Sequence, residues 1–230
     1  MTIAVPKQEP SNYSKEEGRI HRVAVIGSGL MGAGIAAHCA NAGCDVVLMD
    51  IVPDGAEDPD VLAKGAIKQM LKANPEVLMH PDYVERITPA NLDDSLHLLA
   101  DRDWVIEVVI ERLDIKRDVY TKLAEYMPEH AILSSNTSTL PRSKLVAGMP
   151  SSLSSRFLIT HFFNPPRYLP LLEVVTSSEV PEETLQRFTS FADEKLGKRV
   201  TLCNEPLASL GIDWAFISFN VPSLQHSITV

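Results

Sequence analysis

The fold of this chain is decided by Arg22–Gly34, which reads RVAVIGSGLMGAG. A short β-branched apolar run opens the stretch and predicts a strand, and the alanine-rich segment Leu30–Asn41 predicts a helix. Between them Gly27, Gly29 and Gly32 form the pattern G-x-G-x-x-G. A strand, a tight glycine turn and a helix N-terminus present backbone N–H groups and the positive end of the helix dipole to an anion. The stretch therefore predicts a pyrophosphate site.

A second apolar strand, Asp45–Met49, is followed directly by Asp50. An acid at this distance from the glycines accepts hydrogen bonds from both hydroxyls of an adenosine ribose and repels a 2′-phosphate. A G-x-G-x-x-G alone can be an ordinary turn, but the strand before it and the acid after it favour a dinucleotide site. The pattern predicts NAD rather than NADP.

Composition limits the size and the partners of the chain. Its 230 residues suit one sizeable domain, or one domain and part of a second, and 45% hydrophobic residues allow an ordinary core. The net charge of −9 argues against nucleic acid or an anionic membrane as the main partner. No apolar run reaches the ~18 residues of a membrane span.

The N-terminal segment and the cysteines indicate the compartment. Residues 1–18 are polar and aperiodic, so we expect a flexible leader that resembles neither a signal peptide nor an acid-poor transit peptide. Cys39, Cys44 and Cys203 lack the spacing of metal ligands and leave one thiol unpaired in any disulfide scheme. We therefore expect no metal site, reduced cysteines and a cytoplasmic protein.

After Asp50, predicted strands and helices alternate, which indicates a Rossmann-like, doubly wound α/β fold with a mostly parallel sheet. The predicted helices are Val61–Ala73, Pro89–Ala100, Leu113–Met127 and Pro181–Leu196. The predicted strands are Tyr83–Thr88, Trp104–Ile110, Ala131–Ser134, Phe157–Phe163, Leu171–Val175 and Lys198–Leu202.

One predicted helix carries a basic stripe. Lys64, Lys68 and Lys72 recur at every fourth residue and share a face. A solvated helix face is the favoured explanation of this pattern, and a contact with substrate phosphates is the alternative. Both interpretations stay open on the sequence.

Two polar residues interrupt apolar strands. His161 lies within FLITHFF, and Glu173 lies 12 residues later within LLEVV. Each taken alone is commonly a structural residue, but a buried carboxylate needs a partner and a histidine provides one. On neighbouring strands, Glu173 would fix the imidazole tautomer and leave the other ring nitrogen as a base. Beside a nicotinamide, such a base suits oxidation of an alcohol.

Five motifs occur in one order: GSGLMGAGIA, EVVIERLDIKRDV, SSNTSTLP, HFFNPPRYLPLLEVV and LGKRV. Together they resemble the NAD-binding domain of the 3-hydroxyacyl-CoA dehydrogenases, especially the long bacterial enzymes of fatty-acid β-oxidation. The resemblance covers roughly residues 19–203, which we expect to form the Rossmann domain. It implies NAD-dependent oxidation of (S)-3-hydroxyacyl-CoA to 3-oxoacyl-CoA and an acyl-CoA substrate.

The resemblance also implies roles for individual residues. His161 would be the general base, Glu173 its partner, and Ser138 a hydrogen-bond donor to the 3-oxygen of the substrate; Lys64 and Lys68 remain candidate substrate contacts. The implied cofactor-binding residues are Gly27, Gly29, Leu30, Met31 and Gly32 at the pyrophosphate, Asp50 and Ile51 at the adenosine ribose, and Val109, Ile110, Glu111, Lys116 and Asn164 toward the nicotinamide. Taken alone, Ser138 and Asn164 are also typical turn residues.

The end of the chain departs from the family pattern. The family continues with a segment like T-P-G-F-I-x-N-R, which supplies an active-site asparagine and leads into a helical domain. Residues 204–230 differ, so we expect an aberrant, poorly ordered tail and no helical domain in this chain. Regrouping permitted codons for Glu205–Ala215 by one base yields T-P-G-F-I-G-N-R-L-G. We hypothesise a one-base frameshift near Asn204, which incompatible codons in the encoding DNA would contradict.

Two functions stay open on the sequence. The first is the dehydrogenase, with turnover impaired by loss of the helical domain, unless a homodimer or a partner chain supplies that domain. The second is a truncated NAD-binding module, or gene fragment, without turnover. A Rossmann dehydrogenase of small hydroxy acids is disfavoured by HFFNPP and SNTS together.

Overall fold

The computed structural model describes residues 19–204. The strands are β1 (Arg22–Ile26), β2 (Asp45–Asp50), β3 (Ile87–Asn91), β4 (Trp104–Glu107), β5 (Ile132–Ser135), β6 (Phe157–Phe162), β7 (Leu171–Thr176) and β8 (Arg199–Asn204). The α-helices are α1 (Leu30–Asn41), α2 (Val61–Met70), α3 (Leu113–Ala124), α4 (Arg142–Val146), α5 (Ser151–Ser154) and α6 (Glu182–Glu194). Two 3₁₀ helices span Pro81–Arg86 and Leu96–Leu99.

The eight strands form one sheet in the order β3-β2-β1-β4-β5-β6-β7-β8. Strands β1 to β6 run parallel, β7 is antiparallel to β6, and β8 is parallel to β7. The order reverses between β1 and β4, so the carboxyl ends of these two strands flank a crevice of the kind in which open α/β sheets bind ligands. This confirms the predicted Rossmann-like, mostly parallel sheet.

The core covers both faces of the sheet, as successive residues of β4 illustrate. Trp104 packs on one face, with its ring centroid 5.2 Å from that of Phe188 and 5.9 Å from that of Phe191. Val105 packs in the hydrophobic cluster on the other face. The indole N–H of Trp104 donates to Ser134 at 2.8 Å, so its one polar atom is satisfied inside the core.

The predictions for residues 83–100 were wrong. The expected strand Tyr83–Thr88 is largely a 3₁₀ helix, and the expected helix Pro89–Ala100 begins as β3, where Pro89 lies opposite Leu48 of β2. Proline lacks the N–H that a central strand needs, but β3 is the edge strand and pairs on one side only. A proline therefore fits there.

The other predicted elements exist with bounds within three residues of the expected ones, and two short helices, α4 and α5, were not predicted. Strand β4 stops at Glu107 rather than Ile110, α2 stops at Met70, and α3 stops at Ala124. The leader 1–18 and the tail after Asn204 lie outside the described residues. Among residues 19–204, none of the helices has the length and hydrophobicity that a membrane span requires.

Candidate active site

The glycine turn after β1 is closed on its inner side by backbone. Gly27 has φ +103°, and a Cβ there would lie 2.7 Å from the carbonyl oxygen of Val108. A Cβ on Gly32 would lie 1.8 Å from the carbonyl oxygen of Gly27. Both positions therefore require glycine, because no neighbouring backbone atom can move far enough.

The same turn is open on its outer side, next to the start of α1. A Cβ on Gly29 would meet nothing within 4 Å, and Leu30 beside it is 75% exposed. The first N–H groups of a helix have no intrahelical acceptor, and here they face this open space. A pyrophosphate binds where backbone N–H groups are accessible, space is available and a helix dipole presents its positive end. The turn and the twelve-residue helix α1 provide all three. The turn fits the phosphates of a dinucleotide.

Asp50 ends β2 and contacts the glycine turn. Its Oδ2 accepts hydrogen bonds from the backbone N–H of Ser28 at 2.6 Å and from the Ser28 hydroxyl at 2.5 Å, while Oδ1 accepts from the N–H of Ile51 at 2.8 Å. A carboxylate has about four acceptor positions, so capacity remains for a ribose hydroxyl. Ser28 thus orients the carboxylate of Asp50, which is predicted to bind the adenosine ribose. This role of Ser28 was not predicted from the sequence.

A buried polar cluster lies behind the ends of β4 and β5, and we name it the Glu107 cluster: Glu107, Lys116, Tyr120 and Ser135. The Glu107 carboxylate accepts from Lys116 at 2.7 Å, from the Tyr120 hydroxyl at 2.6 Å and from the Ser135 hydroxyl at 2.7 Å. It also accepts from the N–H of Val109 at 2.7 Å, which turns the chain away from the sheet after Glu107. Burial first, then the charge of Glu107, raise the pKa of Tyr120 far above its usual range.

Lys116 joins this cluster to Glu111, which lies closer to solvent. Lys116 is buried and lies 3.3 Å from Oε2 of Glu111. The other oxygen of Glu111 accepts hydrogen bonds from the hydroxyls of Thr137 and Thr139. Burial acts to raise the pKa of Glu111, but these threonine bonds and the Lys116 charge outweigh it and lower the pKa. Glu111 thereby holds the two neighbours of Ser138.

His161 and Glu173 lie on adjacent strands, β6 and β7, and are direct partners in the antiparallel register. Nδ1 of His161 is 2.9 Å from Oε2 of Glu173. A carboxylate only accepts, so Nδ1 carries the proton and Nε2 of the neutral ring has a free lone pair. Within residues 19–204, Nε2 makes no hydrogen bond. The pair can therefore accept a proton at Nε2.

The other implied reacting residues follow the carboxyl ends of the neighbouring strands. Ser138 lies exposed in the turn after β5, and Asn164 lies exposed in the loop after β6. The side-chain oxygen of Asn136 accepts from the N–H of Phe162 at 2.9 Å and links these two ends. The predicted base near the end of β6, the hydroxyl after β5 and the amide after β6 thus lie at one edge of the sheet.

A cleft of about 670 Å³ lies between α1, α2 and the loop after β6. Its lining includes Ser28, Gly29 and Asn164, so it adjoins both the glycine turn and the strand ends. Of the lysine stripe, Lys72 lines the cleft, and Lys64 instead pairs with Asp58 at 2.8 Å and with Asp60 at 3.4 Å. Lys68 is exposed.

Comparison with known sequences places the chain among dehydrogenases. The family described as 3-hydroxyacyl-CoA dehydrogenase, NAD binding domain, matches residues 22–206. A Rickettsia felis protein named as a fatty acid oxidation complex trifunctional enzyme is 46% identical over 189 residues, 82% of this chain and 26% of that protein. A Deinococcus radiodurans protein named as a 3-hydroxyacyl-CoA dehydrogenase is 43% identical, over 81% of this chain and 54% of that protein.

Solved structures agree with this placement. The crystal structure of M. tuberculosis FadB2 matches with a TM-score of 0.69 and 31% identity, over 84% of this chain and 67% of that one. The 3-hydroxybutyryl-CoA dehydrogenase of Escherichia coli K12 matches with a TM-score of 0.70 and 29% identity, over 83% of this chain and 39% of that one. The chain thus spans between about a quarter and a half of the two sequence relatives. The family model confirms NAD as the predicted cofactor, and the chain belongs to the NAD-binding domain family of the 3-hydroxyacyl-CoA dehydrogenases.

Proposed function

We propose that residues 19–203 form the NAD-binding domain of an enzyme that oxidises (S)-3-hydroxyacyl-CoA to 3-oxoacyl-CoA in fatty-acid β-oxidation. The observation that carries this proposal is the contact between His161 and Glu173, 2.9 Å apart at the carboxyl end of β6. A bound NAD supplies the hydride acceptor for such an oxidation. The chain itself must then supply a base and an orienting group for the substrate oxygen.

The base is Nε2 of His161. It takes the proton of the substrate hydroxyl as the C–H bond at the same carbon breaks, so the histidine becomes an imidazolium. The carboxylate of Glu173 stabilises this positive charge through the proton on Nδ1, and it keeps Nε2 free by fixing the tautomer. In the reverse direction, the imidazolium returns the proton to the 3-oxygen.

Ser138 and Asn164 orient the reacting groups in this proposal. The Ser138 hydroxyl donates to the 3-oxygen of the substrate, and Asn164 lines the cleft. Glu111 supports Ser138 by binding Thr137 and Thr139 on either side of it. Within the described residues, Ser138 makes no hydrogen bond of its own, so its hydroxyl is available.

The cofactor residues divide along the carboxyl edge of the sheet. Gly27, Gly29, Leu30, Met31 and Gly32 hold the pyrophosphate, Asp50 and Ile51 the adenosine ribose, and Val109, Ile110, Glu111 and Lys116 border the nicotinamide ribose. Ile51 and Ile110 are 59% and 60% exposed, and such apolar side chains suit the faces of a bound dinucleotide. Lys116 acts from its buried position, held by Glu107 and Glu111.

The acyl-CoA lies in the cleft between α1 and α2, where Lys72 supplies positive charge for its phosphates. Lys64 and Lys68 would then contribute only through their charge at a distance, because neither lines the cleft. The groups on the far side of the cleft must come from outside the described residues. Further residues of the same polypeptide, a second copy of it or a partner chain could supply them. We infer a cytoplasmic protein without a nucleic-acid partner.

NADH binding and turnover test the proposal together. NADH fluorescence measures cofactor binding, and oxidation of NADH with acetoacetyl-CoA measures turnover, for the 230-residue chain, for His161→Ala and for His97→Ala as an exposed histidine control. Turnover that His161→Ala abolishes and His97→Ala retains supports the dehydrogenase. NADH binding without turnover supports the NAD-binding module instead. Absence of NADH binding contradicts both.

A further inference from the structure

One wall of the cleft is a segment without regular secondary structure. Residues 74–79 follow α2, and Asn74, Pro75 and Val77 line the cleft. A segment without helix or strand cannot satisfy its own backbone polar groups, so it needs partners from elsewhere. Side chains from two other parts of the fold provide them.

Arg167 and Tyr168 bind this segment from the loop that follows β6. Nη1 of Arg167 donates to the carbonyl oxygens of Glu76 at 2.6 Å and Leu78 at 2.9 Å. The Tyr168 hydroxyl donates to the same Glu76 oxygen at 2.7 Å. The guanidinium carbon of Arg167 also lies 5.3 Å from the centre of the Tyr168 ring, so each side chain restrains the other.

The loop that carries these two residues is itself fixed on the opposite side. Nζ of the buried Lys198 donates to the carbonyl oxygen of Leu169 at 2.8 Å and to that of Pro166. Pro166 lies against α1, where a Cβ on Gly34 would approach its ring to 3.0 Å. Arg167 and Tyr168 therefore reach the cleft wall from a loop that is anchored to both β8 and the cofactor-binding helix.

The far end of the segment has separate support. Asn41 of α1 donates to the carbonyl oxygen of Val77 at 2.8 Å and accepts from the N–H of Met79 at 2.8 Å. Leu78 is buried in the core. Removing Arg167 would thus leave the Leu78 carbonyl without this donor and the Glu76 carbonyl with the Tyr168 hydroxyl alone, without detaching the segment from the fold. The residues that line the cleft would therefore shift, while the end of the segment near Met79 would stay in place.

We propose that Arg167 and Tyr168 are positioning residues. They hold the 74–79 segment in the position that gives the cleft the width needed for an acyl-CoA. The inference rests on the proposed function, because it takes acyl-CoA as the occupant of the cleft. It adds that the affinity for this ligand depends on two side chains that need not touch it. The exposure of Tyr168, 47%, indicates that the core does not require it.

Arg156 provides a matched control for Arg167. It also donates to backbone carbonyls, those of Ser152 at 2.9 Å and of Pro128 and Ala131 at 2.6 Å each. It lies just before β6, whereas Arg167 follows β6, so the two arginines lie at opposite ends of the same strand. A purely structural effect of losing an arginine that binds carbonyls should appear equally in both variants.

The experiment measures two affinities in the 230-residue chain and its variants: NADH by fluorescence, and acetoacetyl-CoA by calorimetry in the presence of saturating NADH. We expect Arg167→Ala to weaken acetoacetyl-CoA binding about tenfold and Tyr168→Phe about threefold, as loss of two bonds and one bond implies. Arg167→Lys, which keeps a donor for these carbonyls, should recover most of the affinity. NADH affinity should stay within twofold in every variant.

Each outcome bears on the inference. Weakened acetoacetyl-CoA binding in Arg167→Ala but not in Arg156→Ala supports it, even if both variants lose thermal stability. Equal effects in both variants, or an unchanged affinity in Arg167→Ala, overturn it and leave the proposed function intact. A parent chain that binds NADH but no acetoacetyl-CoA overturns the acyl-CoA assignment, and the positioning role falls with it.

Discussion

His161 and Glu173 face each other across the antiparallel junction between β6 and β7, with Nδ1 and Oε2 2.9 Å apart. Directly opposite residues of antiparallel strands point to the same face, so the register itself creates the contact. Because β7 reverses direction after the loop, a residue early in β7 meets one late in β6. The reversal thus brings a carboxylate to the edge of the sheet where the dinucleotide site lies.

Replacing Glu173 should impair proton transfer more than binding. In Glu173→Gln the side chain can donate as well as accept, so the Nδ1–H tautomer loses its preference and the imidazolium loses its counter-charge. We expect about a 100-fold or larger fall in any turnover with acetoacetyl-CoA, by analogy with loss of the orienting acid in other His–carboxylate pairs. NADH affinity should not change.

The tautomer provides a readout that does not depend on turnover. Nitrogen-15 NMR of labelled His161 should show the Nδ1–H form in the parent chain and a mixture of both forms in Glu173→Gln. Glu179→Gln, an exposed change in the turn after β7, is the matched control and should leave both measurements as in the parent. An unchanged tautomer in Glu173→Gln would contradict the orienting role.

Substitutions at two glycines of the turn should have different effects, one on cofactor binding and the other on folding. Gly29→Ala adds a Cβ into open space at φ −62°, which alanine adopts freely, so the fold should persist while the new methyl group occupies phosphate space. Gly32→Ala places its Cβ 1.8 Å from a carbonyl oxygen and should destabilise the domain itself. Fluorescence titration with NADH and urea unfolding measure the two effects.

For Gly29→Ala we expect a loss of NADH affinity of at least tenfold with an unfolding free energy near that of the parent. Gly65→Ala within α2 meets nothing within 4 Å and should raise stability by up to about 1 kcal/mol without touching NADH binding. Normal NADH binding by Gly29→Ala would contradict the position assigned to the pyrophosphate.

Local patterns predicted the part of the site that is continuous in sequence. The glycine turn, Asp50 and the strand with His161 each have a signature within a few residues, and the observed elements follow it. For the Glu107 cluster, the only signal in the sequence was an acidic residue within an apolar run. Its partners Lys116, Tyr120 and Ser135 come from other elements. Such contacts depend on the order of strands, which a linear pattern does not contain.

The errors have physical causes of the same kind. Pro89 indicated a helix start, since nothing near it in the sequence shows that β3 is an edge strand. Of the lysine stripe, Lys64 and Lys68 lie on α2, but Lys72 lies beyond the end of that helix at Met70. Asp58 and Asp60, which precede the helix, engage Lys64. In the sequence, Arg167 and Tyr168 have no feature that distinguishes them from other loop residues. Their proposed role depends on contact with Glu76, which lies 91 positions before Arg167.

Removing Lys116 should destabilise the domain strongly. Lys116→Met leaves the fully buried Glu107 carboxylate without its counter-charge, and breaking one partner of a buried ion pair costs about 3–5 kcal/mol. Tyr120→Phe removes one hydrogen bond to the same charged group and should cost about 1.5–3 kcal/mol. Urea unfolding measures both, with Lys122→Met on the exposed face of α3 as the control. A cost below 1 kcal/mol for Lys116→Met would mean that water reaches Glu107.

Stability should fall in weak acid because of His38. Nε2 of His38 donates to the carbonyl oxygen of Leu196 at 3.0 Å, while the buried Nδ1 has no hydrogen-bond partner among residues 19–204. Burial first, and then the charge of Lys198, lower the pKa of His38 from 6.5 to about 4. Between these two values the unfolded chain binds a proton that the folded chain does not, so the stability present above pH 6.5 is lost as the pH falls toward 4.

The loss assigned to His38 should reach about 2 kcal/mol by pH 4.5. Carboxylates also titrate in this range, so the test is a difference between two proteins rather than one curve. His38→Gln keeps an N–H donor for the Leu196 carbonyl but cannot titrate, and its unfolding free energy in urea should fall less between pH 7 and 4.5 than that of the parent. Parallel pH profiles would show that His38 charges in the folded state, which would require water beside its Nδ1.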